Sequence, residues 1–262
     1  MEIRIQDKEK CDLFFKLFPA LFDPILGNFD SYVVRINKEG LFVNQKDIGA
    51  TTQMDVRYSK YAFDYIGDEE TTIKFKGNHI IKIFDAAEKI KSDKDGVTLK
   101  FTNSKTPFLQ VFATQKFEIW LDSLSEEDKV GTVLTYTVKT YASIQDLKLC
   151  SKLISTLDTI LDKNKETALV QFELRKGLLI IHAMDDDHIK RAHYEIESIT
   201  NTETIQKVMG YFHHLVYIKK LIDSGAESLK LYIETDSTII FEIKFPFDIN
   251  ITIYAARPNF SD

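Results

Sequence analysis

Cysteine is scarce: Cys11 and Cys150 are the only two in 262 residues, and neither sits in a CxxC or a Cys/His spacing. That excludes a disulfide scaffold and a zinc ribbon, and it fits a reducing compartment. With five Pro and ten Gly, the chain has no collagenous or low-complexity character. No window approaches the roughly 18 apolar residues of a membrane span. The opening MEIRIQDKEK carries charge where a signal peptide needs an apolar run, so secretion and membrane insertion are not expected. Missing too are GxxxxGK followed by Ser or Thr, GxGxxG, GxSxG and HExxH. Phosphate-loop, dinucleotide, hydrolase and zincin chemistries therefore lack their usual supports, and no catalytic residue, cofactor or metal is assigned. What is present is an acidic globular composition: 34 Lys+Arg against 40 Asp+Glu, a net charge of −6, 44% hydrophobic and 12% aromatic. Such a chain buries a core as one large domain or two ordinary ones.

Apolar period orders the elements. A strand at 2–6 precedes a helix at 8–22 with Phe14, Leu17, Phe18 and Leu21 on one face, which Pro19 is expected to kink or end early. Two β-rich runs flank Asn37-Lys38-Glu39-Gly40, a hairpin signal. Strands TTQMDVRYS and TTIKFKG follow, then a helix at 78–91 with Asn78 as N-cap, then GVTLKFTN, FLQVFATQ and KFEIWLD. The order then restarts: strand LTYTVKTY, helix 143–157, a hairpin around Arg175-Lys176-Gly177, strands AHYEIES and ETIQKVM, helix 211–223, and three closing strands. KEGLFV at 38–43 matches RKGLLI at 175–180, Gly77 matches Gly210, and Cys11 and Cys150 fall in corresponding helices. The sequence thus reads as a duplicated α+β unit, an antiparallel sheet with two helices on one face, the copies spanning 1–120 and 133–262 with a polar connector at 121–132.

Because the apolar helix faces are committed to the core, the polar faces carry function. Lys10 and Lys16 lie outward on the first helix; Lys82, Asp85 and Lys89 on the second; Lys148, Ser151, Lys152 and Ser155 on the third; His213, Tyr217 and Lys220 on the fourth. Each helical window carries a net +1, so the rest of the chain holds −10. Such a separation attracts a polyanion to one side, although lysines on a solvated helix face are ordinary.

The element order, KFEIWLDSLSEEDK, FHHLVYIKKLIDSGAESLKLYI and the ending ITIYAARPNF resemble the sliding clamps of the proliferating cell nuclear antigen (PCNA) type, over almost the whole chain. The resemblance implies a ring of three subunits with helices lining a hole and sheets outside. Such a ring encircles double-stranded DNA without sequence preference and tethers DNA polymerase, clamp loader and other replication or repair factors. It implies DNA-side residues Lys16, Lys82, Lys148, Lys152, Lys219 and Lys220, with Asp85 standing where the family often has a base. A modest lining suits sliding, since a strongly basic surface would stick.

The same resemblance implies ring closure by strands 116–122 and 190–198, where Phe117, Ile119 and Leu121 and then Tyr194 and Ile196 alternate with polar residues. It also implies a partner pocket at Leu124, Val130, Tyr254, Ala256 and Pro258. There the chain departs from the family: Thr51 and Gln53 replace apolar wall residues, Glu127 and Lys129 sit mid-connector, and Arg257 and Pro258 are exchanged in order. Three assemblies follow: a divergent homotrimer, one subunit of a heterotrimer, or a checkpoint-type subunit. A non-ring protein-interaction scaffold is the alternative from another class. Location follows organism: a nucleus if eukaryotic, cytoplasm if archaeal or viral.

The segment from His182 through Asp185-Asp186-Asp187-His188, with His193, is the one cluster able to hold a divalent ion. Consecutive Asp residues in a turn read instead as a solvated loop, and adjacent strand residues point to opposite faces. Trp120 reads as packing or interface rather than a stacking platform.

Overall fold

The structure is a computed structural model describing residues 1–27, 29, 31–49, 51–90, 96–102, 107–125, 137–161, 168–184, 191–235 and 237–258. The first half runs β1 (Glu2–Ile5), α1 (Lys8–Leu21), β2 (Tyr32–Asn37), β3 (Gly40–Lys46), β4 (Thr52–Ser59), β5 (Tyr65–Ile66), β6 (Thr71–Phe75), α2 (Gly77–Ile90), β7 (Val97–Thr102), β8 (Phe108–Phe112) and β9 (Lys116–Trp120). The second runs β10 (Tyr141–Ile144), α3 (Leu147–Ile160), β11 (Leu169–Arg175), β12 (Leu178–Met184), β13 (Arg191–Thr200), β14 (Gln206–Tyr211), α4 (Phe212–Asp223), β15 (Ser228–Tyr232), β16 (Ile239–Phe245) and β17 (Ile249–Ala255). Only β5 lacks a separate counterpart, because β13 continues where β4 breaks.

Capping shows the repeat at atomic level. Asp7 accepts the Lys10 N–H at 3.0 Å and Asp146 the Leu149 N–H at 2.8 Å, each satisfying an orphan donor of a helix start. Cys11 and Cys150 are the fourth residues of their helices, both buried and neither in a disulfide. Two other sequence matches do not superpose. Asn37 pairs with Gly40 but Arg175 with Leu178, so Gly40 corresponds to Leu178, and Gly177 lies inside its turn at φ 76°. Gly77 opens α2 whereas Gly210 is still within β14.

Three local expectations are corrected. α1 continues through Pro19 to Leu21, because in the last turn a missing N–H removes one bond while the ring is buried. α2 starts at Gly77, so Asn78 lies in its first turn rather than at the cap. Of the expected strand LTYTVKTY, 134–136 lie outside the described residues and 137–140 are not strand; β10 is Tyr141–Ile144 and α3 starts at Leu147, because Ala142 to Ile144 pair with β13 and Asp146 caps the helix.

Among the described residues all ladders are antiparallel. One sheet has the order β5-β1-β7-β8-β9, the other β14-β11-β12-β13-β10-β15-β16-β17-β4-β3-β2-β6. The helices bury one face against both. In the first half Phe14, Phe15 and Phe18 surround Phe84, with ring centroids at 5.6, 5.8 and 5.1 Å. Burying such side chains is worth about 1.5–3 kcal/mol each, which is what holds α1 and α2 to the sheet and to one another. The halves are joined by seven paired residues of β17 and β4, from Ile249 opposite Tyr58 to Ala255 opposite Thr52. Among the described residues no helix is long and apolar enough to cross a membrane.

Candidate nucleic-acid interface and assembly edges

The apolar stripes of the four helices face the sheets, so their polar sides form one continuous surface, in the contact order α2, α1, α4, α3. The α1–α4 seam is fixed by the Tyr217 hydroxyl donating to the Leu21 carbonyl at 3.0 Å, and the α3–α4 seam by Ser151 Oγ donating to Asp223 Oδ1 at 2.6 Å. Tyr217 and Ser151 are therefore buried structural residues and not part of the outward faces where the sequence reading put them.

Lys16, Lys82, Lys148 and Lys152 are exposed on this surface. The other two expected lysines are committed: Lys219 Nζ lies 2.6 Å from Asp223 Oδ2, and Lys220 pairs with Asp23. Lys10 is drawn aside too, 2.9 Å from Asp64, which also accepts the Gln6 and Asp7 amides. Burial would raise the Asp64 carboxyl, but hydrogen bonds from Asp7, Lys10 and Gln6 outweigh it and leave it below the usual carboxylate range. A groove of about 380 Å³ at the middle of the surface is lined by Lys16, Asp23, Ile81, Lys220 and Asp223 among others. The α3 flank thus presents Lys148 and Lys152, the α2 flank sets exposed Asp85 and Glu88 beside Lys82 and Lys89, and the seam pairs Lys220 with Asp23. Sequence reasoning missed Asp23 because its partner is 197 residues away; Asp223, four residues after Lys219, was legible.

Beneath this surface His214 is buried and hydrogen-bonded through Nε2 to Thr52 Oγ1 at 2.8 Å, tying α4 to β4 across the halves. Burial, with the neighbouring His213, lowers its pKa to about 3. It carries no charge toward the outer surface. Burial and then Asp146 push the Cys150 thiol up to about 12, so it is inert.

The strand edges form the second feature. β9 pairs with β8, and along Lys116–Trp120 no other ladder is present among the described residues. β13 pairs with β12 over 191–197 and with β10 only over 198–200. Each therefore presents a backbone edge without a strand partner. Ile119, Leu121 and Ile196 are buried in the chain's own core, and Phe117 and Tyr194 pack against it. Trp120 is 67% exposed and meets Phe108 edge-on at 5.9 Å.

At the expected partner pocket, Tyr254 is buried with Val138 and Ile240, and Pro258 is buried as well. Ala256 is partly exposed, and its N–H donates to the Thr51 carbonyl at 2.7 Å. Gln53 Nε2 donates to Asn44 Oδ1 at 3.0 Å, so an amide pair stands where an apolar wall would. Leu124 is exposed; Val130, Glu127 and Lys129 lie outside the described residues, as do Asp185, Asp186, Asp187 and His188.

No protein-family model matches the chain, and neither does any curated protein sequence. Solved structures do match. A chain of the PCNA2-PCNA3 complex from Sulfolobus tokodaii is similar at a TM-score of 0.74 and 13% identity, over 98% of this chain and 99% of that one. The Proliferating Cellular Nuclear Antigen of Entamoeba histolytica is similar at 0.76 and 11%, over 98% of each. A chain in the structure of the C-terminal region of FEN-1 bound to A. fulgidus PCNA is similar at 0.75 and 17%, over 100% of this chain and 99% of that one. The chain therefore has the PCNA-type clamp fold, α+β with helices on one side of antiparallel sheets.

Proposed function

We propose that this chain is a non-catalytic subunit of a ring-shaped sliding clamp that encircles duplex DNA and tethers polymerases, clamp loaders and repair factors. Its two domains are residues 1–120 and 133–262, joined by 121–132. The observation that carries this is the junction between the halves. β17 ends one half and pairs along its whole length with β4 of the other. The duplicates of these two strands are β9 and β13, and among the described residues each has an open edge, β9 along Lys116–Trp120 and β13 over 191–197. A second β17–β4-like junction has to be made with another molecule, and a heterologous contact of this kind closes into a ring.

The internal junction also supplies the register. Matching the ladders of the two halves makes Phe117 the counterpart of Ile253, and Ala192 the counterpart of Met54. Ile253 faces Met54, so Phe117 of one protomer faces Ala192 of the next, and Lys116 faces His193. In such a ring the helix surface turns toward the hole. Lys16, Lys82, Lys148 and Lys152 make transient phosphate contacts, while the Asp23 and Asp223 pairs keep the seam from adding to the grip. Partner binding would use Leu124, Val130 and Ala256, with Tyr254 and Pro258 as buried supports.

Solution mass tests the reading. A homotrimer gives three times 30.3 kDa. The similarity to a chain from a complex of two different PCNA subunits favours a heterotrimer as the second reading, in which the chain is monomeric until other subunits are added. A chain that stays monomeric with every clamp subunit tried, or that gives no gain in polymerase processivity on a primed circle, overturns the proposal.

A further inference from the structure

We propose that His182 and His193 form a zinc-binding site on the outer face of the β12–β13 ladder, away from the helices. The two residues are directly opposed in register, and alternation puts both on the side opposite Leu179, Ile181 and Ala183, which face the core. Their Nδ1 atoms face each other at 3.2 Å. Zn–N bonds of about 2.0–2.1 Å at a tetrahedral angle place two nitrogens about 3.3 Å apart, so the spacing is that of two ligands on one ion.

The far side of each ring faces a glutamate. His193 Nε2 is 3.2 Å from Glu195 Oε1. His182 Nε2 is 3.6 Å from Glu173 Oε2, too long for a hydrogen bond. With each Nε2 hydrogen on the carboxylate side, both Nδ1 atoms present lone pairs to each other. The same 3.2 Å separation is that of an N–H···N hydrogen bond between the two rings, which a cation bound to both Nδ1 atoms would replace. Glu195 behind His193 is the carboxylate–histidine arrangement that orients a ligating imidazole, whereas His182 Nε2 is buried without a hydrogen-bond partner.

Glu173 is itself paired with Lys207 at 3.0 Å and with Arg175. Imidazole pairs suit zinc, and the tetrahedral spacing argues against the closer cis nitrogens of a square-planar copper site. Among the described residues no group of three or more His, Cys, Asp or Glu converges on a point, so water completes the coordination. The corresponding positions of the first half are Asn44 and Asp55, whose strands pair in the same register, so the histidines are not a requirement of the sheet. The sequence reading discounted metal here because adjacent strand residues diverge; His182 and His193 converge because they are on neighbouring strands.

The test is titration of the full chain with Zn²⁺ alone by calorimetry, and with Co²⁺ by absorption. Saturation at one Zn²⁺ per chain is expected, with the intense visible bands of tetrahedral Co²⁺. His182→Asn and His193→Asn should each weaken binding by about tenfold or more, and Glu195→Gln should weaken it less. Thermal midpoints measured without metal separate lost ligands from lost folding, and zinc should raise the midpoint of the unaltered chain alone. No saturable uptake, an octahedral Co²⁺ spectrum, or unchanged affinity in either folded histidine variant overturns the site.

Discussion

His214 is the residue whose chemistry the fold alters most, and it gives stability a sign with pH. Its folded pKa is about 3 against an ordinary 6.5, so between those values the unfolded chain holds a proton that the folded chain refuses. Stability from this residue is intact above about pH 7 and is lost as pH falls toward 3, by up to about 1.4 kcal/mol per pH unit. Between pH 7.5 and 5.0 urea unfolding should show a loss of about 2 kcal/mol in the native chain that His214→Gln largely removes. Equal losses in both proteins would show that His214 is not the titrating group. Two turn glycines give a second contrast. A Cβ on Gly40, at φ 144°, would sit 1.9 Å from the Tyr58 carbonyl oxygen, whereas one on Gly177, at φ 76°, meets nothing within 4 Å. Gly177→Ala should cost about 1 kcal/mol from backbone strain alone, and Gly40→Ala about 3 kcal/mol or more, because β4 must move.

At the scale of elements, the helix surface divides its lysines into two kinds. Lys82, Lys148 and Lys152 are exposed and free to meet phosphate, while Lys219 pairs with Asp223 within α4 and Lys220 with Asp23 across the α1–α4 seam. Reversing Lys82, Lys148 and Lys152 to Glu should impair loading and sliding on DNA with oligomer mass unchanged. Lys220→Gln should lower the thermal midpoint and leave DNA effects small. A normal clamp activity after the triple reversal would remove the helices from the DNA path. Helix faces and strand order were legible in the sequence because apolar period reports them directly. Helix starts were not: β10 ends and α3 begins within a few residues, and only the pairing of Ala142 to Ile144 with β13 and of Tyr141 to Ser143 with β15 settles which residues are strand.

For the ring proposed above, the decisive quantity is the register between protomers. Lys116→Cys combined with His193→Cys should oxidise to a covalent trimer on a non-reducing gel, since directly opposed strand residues lie within disulfide reach. Lys116→Cys with Glu195→Cys, two residues out of register, should crosslink far less. The native Cys11 and Cys150 are buried and do not compete. Equal crosslinking of both pairs would mean that the internal junction is no template for the one between molecules.

The sequence by itself determined the duplication, the four amphipathic helices and the alternating strands, because these follow from local period and from side chains near in the chain. It even placed Cys11 and Cys150 in matching turns. Tertiary structure decided which strand edges are open, that Asp23 reaches Lys220, that Tyr217 and His214 face inward, and that His182 meets His193. Each of those depends on strands or helices far apart in sequence being brought side by side, a geometry that no local pattern encodes.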